Sequence, residues 1–204
     1  MKILAIGANG VIGKAVVSLL QQEHSVIAVG HSWGDYTVDI ESKTSISALY
    51  EKVGKVDAII SMAGNGEMGS LEDMPESGYQ TILNNKVMGQ VNLVRIGLDY
   101  LSEGGSITLT SGQASNHPMP GTAAIAMGVA AVNAFVATAA LELKDGKRIN
   151  VVSPGMVKET LEQWGIDSSN GIAASDVATY YQATICSNRN GEVFQAVGGK
   201  YVNS

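Results

Sequence analysis

The stretch MKILAIGANGVIGKAVV, residues 1–17, gives the clearest indication of the fold. Residues 2–7 form a short apolar run typical of a buried strand, and residues 11–22 carry apolar side chains at helical spacing. Gly7, Gly10 and Gly13 stand between these two segments. Three glycines at this spacing, after a strand and before a helix, are typical of a turn that binds a dinucleotide.

Each glycine of this loop has a separate physical task. Gly7 permits the tight turn, Gly10 lets the backbone approach a pyrophosphate, and Gly13 lets the helix pack closely on the sheet. The free N–H groups at the start of the helix would then face the anion. The alternative is a strand-to-helix turn that is merely rich in glycine. The candidate phosphate-binding residues are Gly7, Ala8, Asn9, Gly10, Val11, Ile12 and Gly13.

The rest of the chain continues the alternation of short apolar runs and helical patterns. Strands are predicted at residues 25–30, 37–40, 56–61, 106–111, 148–153 and 192–197, and helices at 42–53, 75–101, 122–144 and 174–186. This alternation indicates βαβ units, and strands that are apolar throughout indicate a parallel sheet covered on both faces. No linker or repeat divides the sequence, so we expect one doubly wound α/β domain over residues 1–204.

Composition excludes several classes of protein. The 204 residues are 45% hydrophobic and 16% charged, with a formal net charge of -6. Without a cluster of Lys and Arg, a nucleic-acid partner is not expected. The single cysteine, Cys186, excludes an internal disulfide and a cysteine metal cluster, and it is expected in the core. No metal site is predicted, and the first residues lack a signal-peptide pattern, so a cytoplasmic location is expected.

Residues 118–141 form a long segment without charged side chains. No side chain that carries charge occurs between His117 and Glu142. The segment is long enough for a membrane span, but it is mostly Ala and Gly, with Thr122, Asn133 and Thr138 inside it. Membrane spans depend on Leu, Ile, Phe and Val for insertion. We therefore predict a buried helix and no contact with a membrane.

The end of the second predicted strand bears on the choice of nucleotide. An NAD site usually has an acidic residue there, which binds the ribose 2′-hydroxyl. Here His31 and Ser32 occupy the place, and the first acid is Asp35. A carboxylate at this place would repel the 2′-phosphate of NADP, and none stands there. The Ser32 hydroxyl and the His31 side chain, which can become a cation, therefore favour NADP, while NAD remains possible. The alternative is that His31 and Ser32 are only turn residues.

Several segments, in order, resemble the single-domain short-chain dehydrogenase/reductase family over almost the whole chain. They are GANGVIG (7–13), VDI (38–40), KVDAIISMAG (55–64), GSITLTS (105–111), AAVNAFVATAALELKDGKRINVVSPG (130–155) and VGGK (197–200). The resemblance implies a Rossmann fold, a nicotinamide cofactor and a homodimer or homotetramer formed through the two long helices. It also implies further cofactor contacts from Asp39, Ile40, Ala63, Gly64, Pro154, Gly155, Met156 and Val157.

The resemblance also implies a catalytic set of Asn, Ser and Tyr-x-x-x-Lys, and most of this set is missing. The Tyr and Lys positions fall on Ile125 and Val129. The Ser position falls on Gly112, with Ser111 beside it, and the Asn position falls on Lys86. The chain looks like a small branch of the family in which these residues are absent and the role is undetermined.

Three residues remain as candidates for the missing chemistry. Lys86 would bring a charge close to the site, unless it is a surface or interface lysine. Ser111 would bind a substrate oxygen, unless it only caps the strand end. His117 lies in the loop where the substrate site would open, unless it is only solvated. Tyr79, Tyr100, Tyr180 and Tyr181 fall in predicted helices and are expected to be packing residues.

Two functions of different classes therefore stay open. The first is an NADPH-dependent reductase that acts on an unknown carbonyl or alcohol with a substituted proton donor. The second is a non-catalytic protein that binds NADP(H), as a sensor or as a partner subunit. The fold and the cofactor motifs are compatible with both.

Overall fold

The computed structural model describes residues 1–201, so the last three residues of the predicted domain lie outside the described part. Seven strands form one sheet in the order β3-β2-β1-β4-β5-β6-β7, and every neighbouring pair is parallel. The strands are β1 (Lys2–Ile6), β2 (Ser25–Gly30), β3 (Tyr36–Thr37), β4 (Val56–Ser61), β5 (Leu101–Thr110), β6 (Arg148–Pro154) and β7 (Val193–Ala196). The order reverses at β1 and β4, which is where such sheets bind ligands at their carboxyl ends.

Helices cover both faces of this sheet, as a sheet of buried parallel strands requires. They are α1 (Val11–Leu20), α2 (Lys43–Val53), α3 (Glu76–Thr81), α4 (Gln90–Gly97), α5 (Ala123–Ala139), α6 (Lys158–Gln163) and α7 (Ala174–Cys186). One core cluster packs α1 and α7 against one face, and another packs α2, α4 and α5 against the other. The predicted doubly wound Rossmann α/β fold is confirmed.

The helix predicted at residues 75–101 is wrong in its interior and at its end. Between α3 and α4, Ile82–Gly89 forms a π-helical segment. There the Gln90 side-chain amide donates to the Lys86 carbonyl at 3.0 Å, and also to the Thr110 carbonyl in β5 at 2.9 Å. The Lys86 carbonyl thus accepts a hydrogen bond from a side chain, and apolar spacing in the sequence does not reveal such a contact. The helix ends at Gly97, and Leu101 already belongs to β5.

Other boundaries differ where local geometry overrides the apolar pattern. β3 has only two residues, and the predicted helix at 122–144 ends at Ala139. A turn follows, in which Asp145 and Gly146 both have positive φ. The short helix α6 and a 3₁₀ turn at Gln113–Ser115 were not expected, because neither is long enough to show a period.

Two predictions for single residues were also wrong. Cys186 is exposed at the end of α7 and is not a core residue. Tyr100 lies in the turn after α4, although its ring does pack, stacked on Tyr50 with 5.3 Å between centroids. Tyr180 and Tyr181 are buried in α7, as expected for packing residues.

The uncharged segment forms a packed helix of this domain. α5 buries Val129, Val132 and Val136, and the last two belong to the core cluster on one face of the sheet. Over residues 1–201, none of the helices has both the length and the apolar character that crossing a bilayer would require. The sequence reading of this segment as a buried helix agrees with its position.

Candidate active site

The glycine loop joins β1 to α1 at the carboxyl edge of the sheet. Gly7 has φ 85°, and a Cβ there would lie 2.6 Å from the Ala63 nitrogen. A Cβ on Gly13 would lie 2.1 Å from the Gly7 oxygen. A Cβ on Gly10 would meet only the Gly7 oxygen, at an ordinary 3.5 Å. The fold itself therefore requires Gly7 and Gly13, whereas Gly10 leaves open space that a ligand can enter.

The first turn of α1 is arranged to receive an anion. Gly10 is the N-cap, and no side chain caps the helix or places a negative charge in its first turn. The first N–H groups of a helix have no partner inside it, and the helix dipole is positive at this end. These features fit the pyrophosphate of a dinucleotide at Gly10–Gly13.

The loop after β2 is attached to the glycine loop. The Asn9 side-chain amide donates to the Trp33 carbonyl at 2.8 Å. His31 and Ser32 are exposed next to this contact, with 3.3 Å between His31 Nδ1 and Ser32 Oγ. The Asp35 carboxylate accepts from the Ala28 N–H at 2.8 Å. The nearest acid is thus held by the backbone of β2, and a hydroxyl and an imidazole face outward at the strand end.

Two further candidate cofactor residues have partners within the protein. An Asp39 carboxylate oxygen accepts from the Glu41 N–H at 3.0 Å, and the Asp39 N–H donates to Ser45 Oγ at 3.0 Å. Ile40 is buried and packs beside Gly89, where an added Cβ would lie 2.9 Å from Ile40 Cδ1. Both residues hold the loop that leads into α2.

A cavity of about 680 Å³ opens at the carboxyl ends of β4, β5 and β6. It brings together all three residues predicted to carry chemistry, which are Lys86, Ser111 and His117. Four candidate cofactor residues also line it, namely Gly64, Pro154, Gly155 and Met156. The other candidates lie outside its wall: the glycine loop, His31, Ser32, Asp39, Ile40, Ala63 and Val157.

Lys86 reaches this cavity from the π-helical segment. Its side chain passes Gly64, where an added Cβ would lie 2.6 Å from Lys86 Cδ and 3.3 Å from Nζ. The residue is half-buried, and Nζ makes no hydrogen bond or ion pair with any residue in the range 1–201. Burial in apolar surroundings lowers the pKa of Lys86 to about 8, because desolvation disfavours the charged form.

Ser111 lies directly after β5 and is buried in the cavity wall. Its N–H donates to the Val152 carbonyl at 2.9 Å, but its Oγ has no partner among the described residues. The hydroxyl does not cap the strand. The preceding Thr110 differs, because its Oγ1 donates to the Ser61 carbonyl at 2.6 Å and lies 2.7 Å from the Tyr181 hydroxyl.

Apolar side chains stand at the two positions that the family resemblance assigns to Tyr and Lys. Ile125 and Val129 line the same cavity as Lys86. Neither side chain can give a proton or bind a hydroxyl. His117 lies at the exposed edge of the cavity, where its backbone N–H donates to the Gln113 carbonyl at 2.8 Å.

Gln113 and Trp164 are among the residues of the cavity wall that the sequence analysis did not predict. The Gln113 amide donates to the Ser153 carbonyl at 2.9 Å and to Ser153 Oγ at 2.8 Å, and it also contacts Gln195 Oε1. Trp164, at the end of α6, is exposed and lines the cavity. The proximity of Gln113 to Ser111 was an available signal, whereas the short α6 gave none.

Comparisons with known proteins agree with this architecture. A family model described as enoyl-(acyl carrier protein) reductase matches residues 7–194. The structure of the protein lin1944 from Listeria innocua has a TM-score of 0.92 and 38% identity, covering 96% of this chain and 98% of that one. The chain therefore belongs to the short-chain dehydrogenase/reductase family, a family of oxidoreductases.

Two further relatives add detail. A small-chain dehydrogenase solved in complex with NADPH has a TM-score of 0.87 and 27% identity, covering 98% of this chain and 97% of that one. Hydroxynaphthalene reductase arp2 from Aspergillus fumigatus is 23% identical over 178 residues, which is 81% of this chain. The chain spans 65% of the length of that curated relative and 61% of a versicolorin reductase from Dothistroma septosporum.

Proposed function

We propose that this chain is an NADP(H)-dependent oxidoreductase that reduces a carbonyl or oxidises the matching alcohol, with Lys86 and Ser111 in place of the missing tyrosine and lysine. One observation carries the proposal. The amino group of Lys86 and the hydroxyl of Ser111 line one apolar cavity, and neither has a hydrogen-bond partner among the described residues. Unsatisfied polar groups in a cavity mark a binding site because their desolvation is otherwise uncompensated.

The cofactor would be held along the carboxyl edge from the glycine loop to the cavity. The proposed contacts are Gly7–Gly13, His31, Ser32, Asp39, Ile40, Ala63, Gly64 and Pro154–Val157. The open space at Gly10 and the uncapped start of α1 fit the pyrophosphate. The position of the Asp35 carboxylate, bound by the Ala28 N–H, supports NADP over NAD because no acid stands at the strand end. NADPH supplies a hydride when it is bound.

The residues of the chain supply the proton and orient the substrate. The Ser111 hydroxyl donates a hydrogen bond to the carbonyl oxygen, and the Lys86 ammonium gives that oxygen a proton. The carbonyl carbon gains the hydride, the product is an alcohol, and Lys86 regains a proton from water at the open mouth. A pKa of about 8 suits this task, because a general acid is most effective when its pKa is near the working pH. His117, at the mouth, is the second candidate donor.

The proposal is tested by the oxidation of NADPH with a panel of carbonyl compounds. Replacing Lys86 by Ala should lower kcat/KM by about 10²–10⁴, the usual contribution of general acid catalysis. His117→Ala tests the second donor, and Lys52→Ala, an exposed lysine on α2, is the matched control. A reductase activity that survives both Lys86→Ala and His117→Ala would refute these proton donors. Equal affinity for NADPH and NADH in a titration would remove the argument from His31 and Ser32.

A second function is favoured by the apolar side chains of Ile125 and Val129. With neither Tyr nor Lys at these positions, the chain is also suited to bind NADP(H) without turnover, as a sensor or partner subunit. Tight binding of NADPH with no oxidation by any carbonyl of the panel would decide for this alternative.

Three further proposals concern the whole protein. Residues 1–204 would form one domain, which the shared sheet of seven strands supports. The chain would form a homodimer or homotetramer through its long helices, supported by small or flexible exposed residues on α5 such as Ala123, Met127, Ala130 and Ala134. Sedimentation of a monomer at micromolar concentration would refute the assembly. A cytoplasmic location is likewise proposed, and fractionation of cells tests it.

A further inference from the structure

The charge distribution of the cavity is strongly one-sided. Among the described residues that line it, Lys86 is the only Lys, Arg, Asp or Glu, and His117 at the mouth is the only other ionisable side chain. No carboxylate among residues 1–201 pairs with the Lys86 ammonium. A cation that is half-buried in an apolar wall is stabilised by an anion that binds next to it.

The Ser111 hydroxyl, which has no hydrogen-bond partner among the described residues, lies at the same edge of the sheet as Lys86. Lys86 Nζ is placed beside Gly64, shortly after β4, and Ser111 directly follows β5. β4 and β5 are parallel neighbours, with Ile60 opposite Thr108. An ammonium has three N–H donors and a hydroxyl has one, so this region offers several hydrogen bonds to oxygen atoms.

The outer wall has the opposite character. Met68, Met119, Met156 and Trp164 line the cavity while 42% to 56% of each side chain stays exposed. Clustered exposed apolar side chains mark a binding surface, and methionine adapts to ligands of different shape. The cavity thus joins donors at its base to a broad apolar mouth.

From this arrangement we infer the class of substrate: an oxo acid in which a carboxylate adjoins the carbonyl and a bulky apolar group completes the molecule. The Lys86 ammonium pairs with the carboxylate and, in the same position, reaches the adjoining carbonyl oxygen. Ser111 donates to that oxygen, and the apolar group lies against Trp164 and the methionines. This rests on the proposed reductase function. The carbonyl then gains a hydride and a proton to become a hydroxy acid, and the carboxylate is unchanged.

Binding can be measured without turnover. The chain has two tryptophans, Trp33 and Trp164. Trp33 is exposed, and its hydrogen bond with Asn9 uses the backbone carbonyl of Trp33 and not the indole ring. Trp33→Phe therefore leaves Trp164 as a single fluorescent reporter in the cavity wall. The probes are 4-methyl-2-oxopentanoate, its methyl ester, and pyruvate, which lacks the apolar group.

The acid should bind on the order of tenfold or more tightly than its ester, because a hydrogen-bonded ion pair is lost in the ester. It should also bind more tightly than pyruvate. Lys86→Met should abolish the preference for the acid, Lys86→Arg should retain it, and Lys52→Met is the control. If the protein that retains Lys86 binds the acid and the ester with equal affinity, the inference is overturned. This measurement does not depend on whether the Lys86 variants fold. The inference is also overturned if a folded Lys86→Met variant still binds the acid more tightly than the ester.

Failure of this inference is distinguishable from failure of the proposed function. Reduction of neutral ketones with no preference for the acid would overturn the substrate class and leave the reductase standing. Binding of the acid through Lys86 without any oxidation of NADPH would support the site and contradict the reduction. A loss of NADPH affinity equal to the loss of acid affinity in Lys86→Met would assign the ammonium to the cofactor and overturn the inference.

Discussion

The glycine loop after β1 and the cavity beside β4 and β5 lie at one edge of the sheet but are built by different means. The loop is a continuous run, Gly7–Gly13, whose shape comes from the backbone and from the lack of a side chain at Gly7 and Gly13. The cavity is assembled from separate segments, and its polar groups are the side chains of Lys86 and Ser111. Gly7 and Gly13 meet a steric requirement of the fold, whereas the cavity contains polar groups that have no hydrogen-bond partner among residues 1–201.

The largest expected effect tests the steric demand within the loop. Gly13→Ala should destabilise the protein by about 2–4 kcal/mol, because its Cβ would lie 2.1 Å from the Gly7 oxygen, a backbone atom that cannot move freely. Gly10→Ala should leave the free energy of unfolding nearly unchanged and weaken NADPH binding. Urea denaturation and cofactor titration measure the two effects. Equal stability of the two variants would contradict the assignment of Gly13 to the packing of the fold and of Gly10 to cofactor binding.

The next effect tests the unsatisfied lysine. Lys86→Met should raise the free energy of unfolding at pH 7 by about 1–3 kcal/mol, because the folded state holds a partly desolvated ammonium. The folded pKa is about 8 and the ordinary value is 10.5, so between these values the unfolded chain binds more protons. The free energy of unfolding of the wild-type protein therefore rises relative to that of the variant as pH increases from about 8 to 10.5. The stability difference between the two proteins becomes smaller.

Urea denaturation of both proteins at pH 7 and pH 9.5 measures this change. Taking the difference between the two proteins removes the contributions of the titratable groups that both proteins share. A difference that does not change with pH would mean that Lys86 is not desolvated in the folded protein.

The smallest effect compares two adjacent buried hydroxyls. Thr110→Val should cost about 1–3 kcal/mol, because Thr110 Oγ1 makes two hydrogen bonds. Ser111→Ala should be neutral or stabilise by up to about 1 kcal/mol, because Ser111 Oγ has no partner among the described residues. Thermal unfolding compares the variants. A loss of stability in Ser111→Ala as large as in Thr110→Val would show that Ser111 serves the fold, and would weaken its proposed role with substrate.

Much of the fold was predictable, and the errors have local causes. The strands near Gly7 and Gly30 follow from short apolar runs, and α7 was predicted with the bounds that it has. The π-helical segment was missed because apolar spacing over eight residues does not distinguish a π-helix from an α-helix. The exposure of Cys186 was missed because a single residue at a helix end has no periodicity to place it.

The family, the doubly wound fold and the glycine loop could be inferred from the sequence alone, because they depend on neighbours in the chain and on regular spacing. It also showed that Ile125 and Val129 stand where the family resemblance assigns Tyr and Lys. The folded chain was needed to show that Lys86 and Ser111 share one apolar cavity, and that neither Nζ nor Oγ has a hydrogen-bond partner among residues 1–201. The desolvation of a side chain depends on everything packed around it, and those atoms come from segments far apart in the sequence.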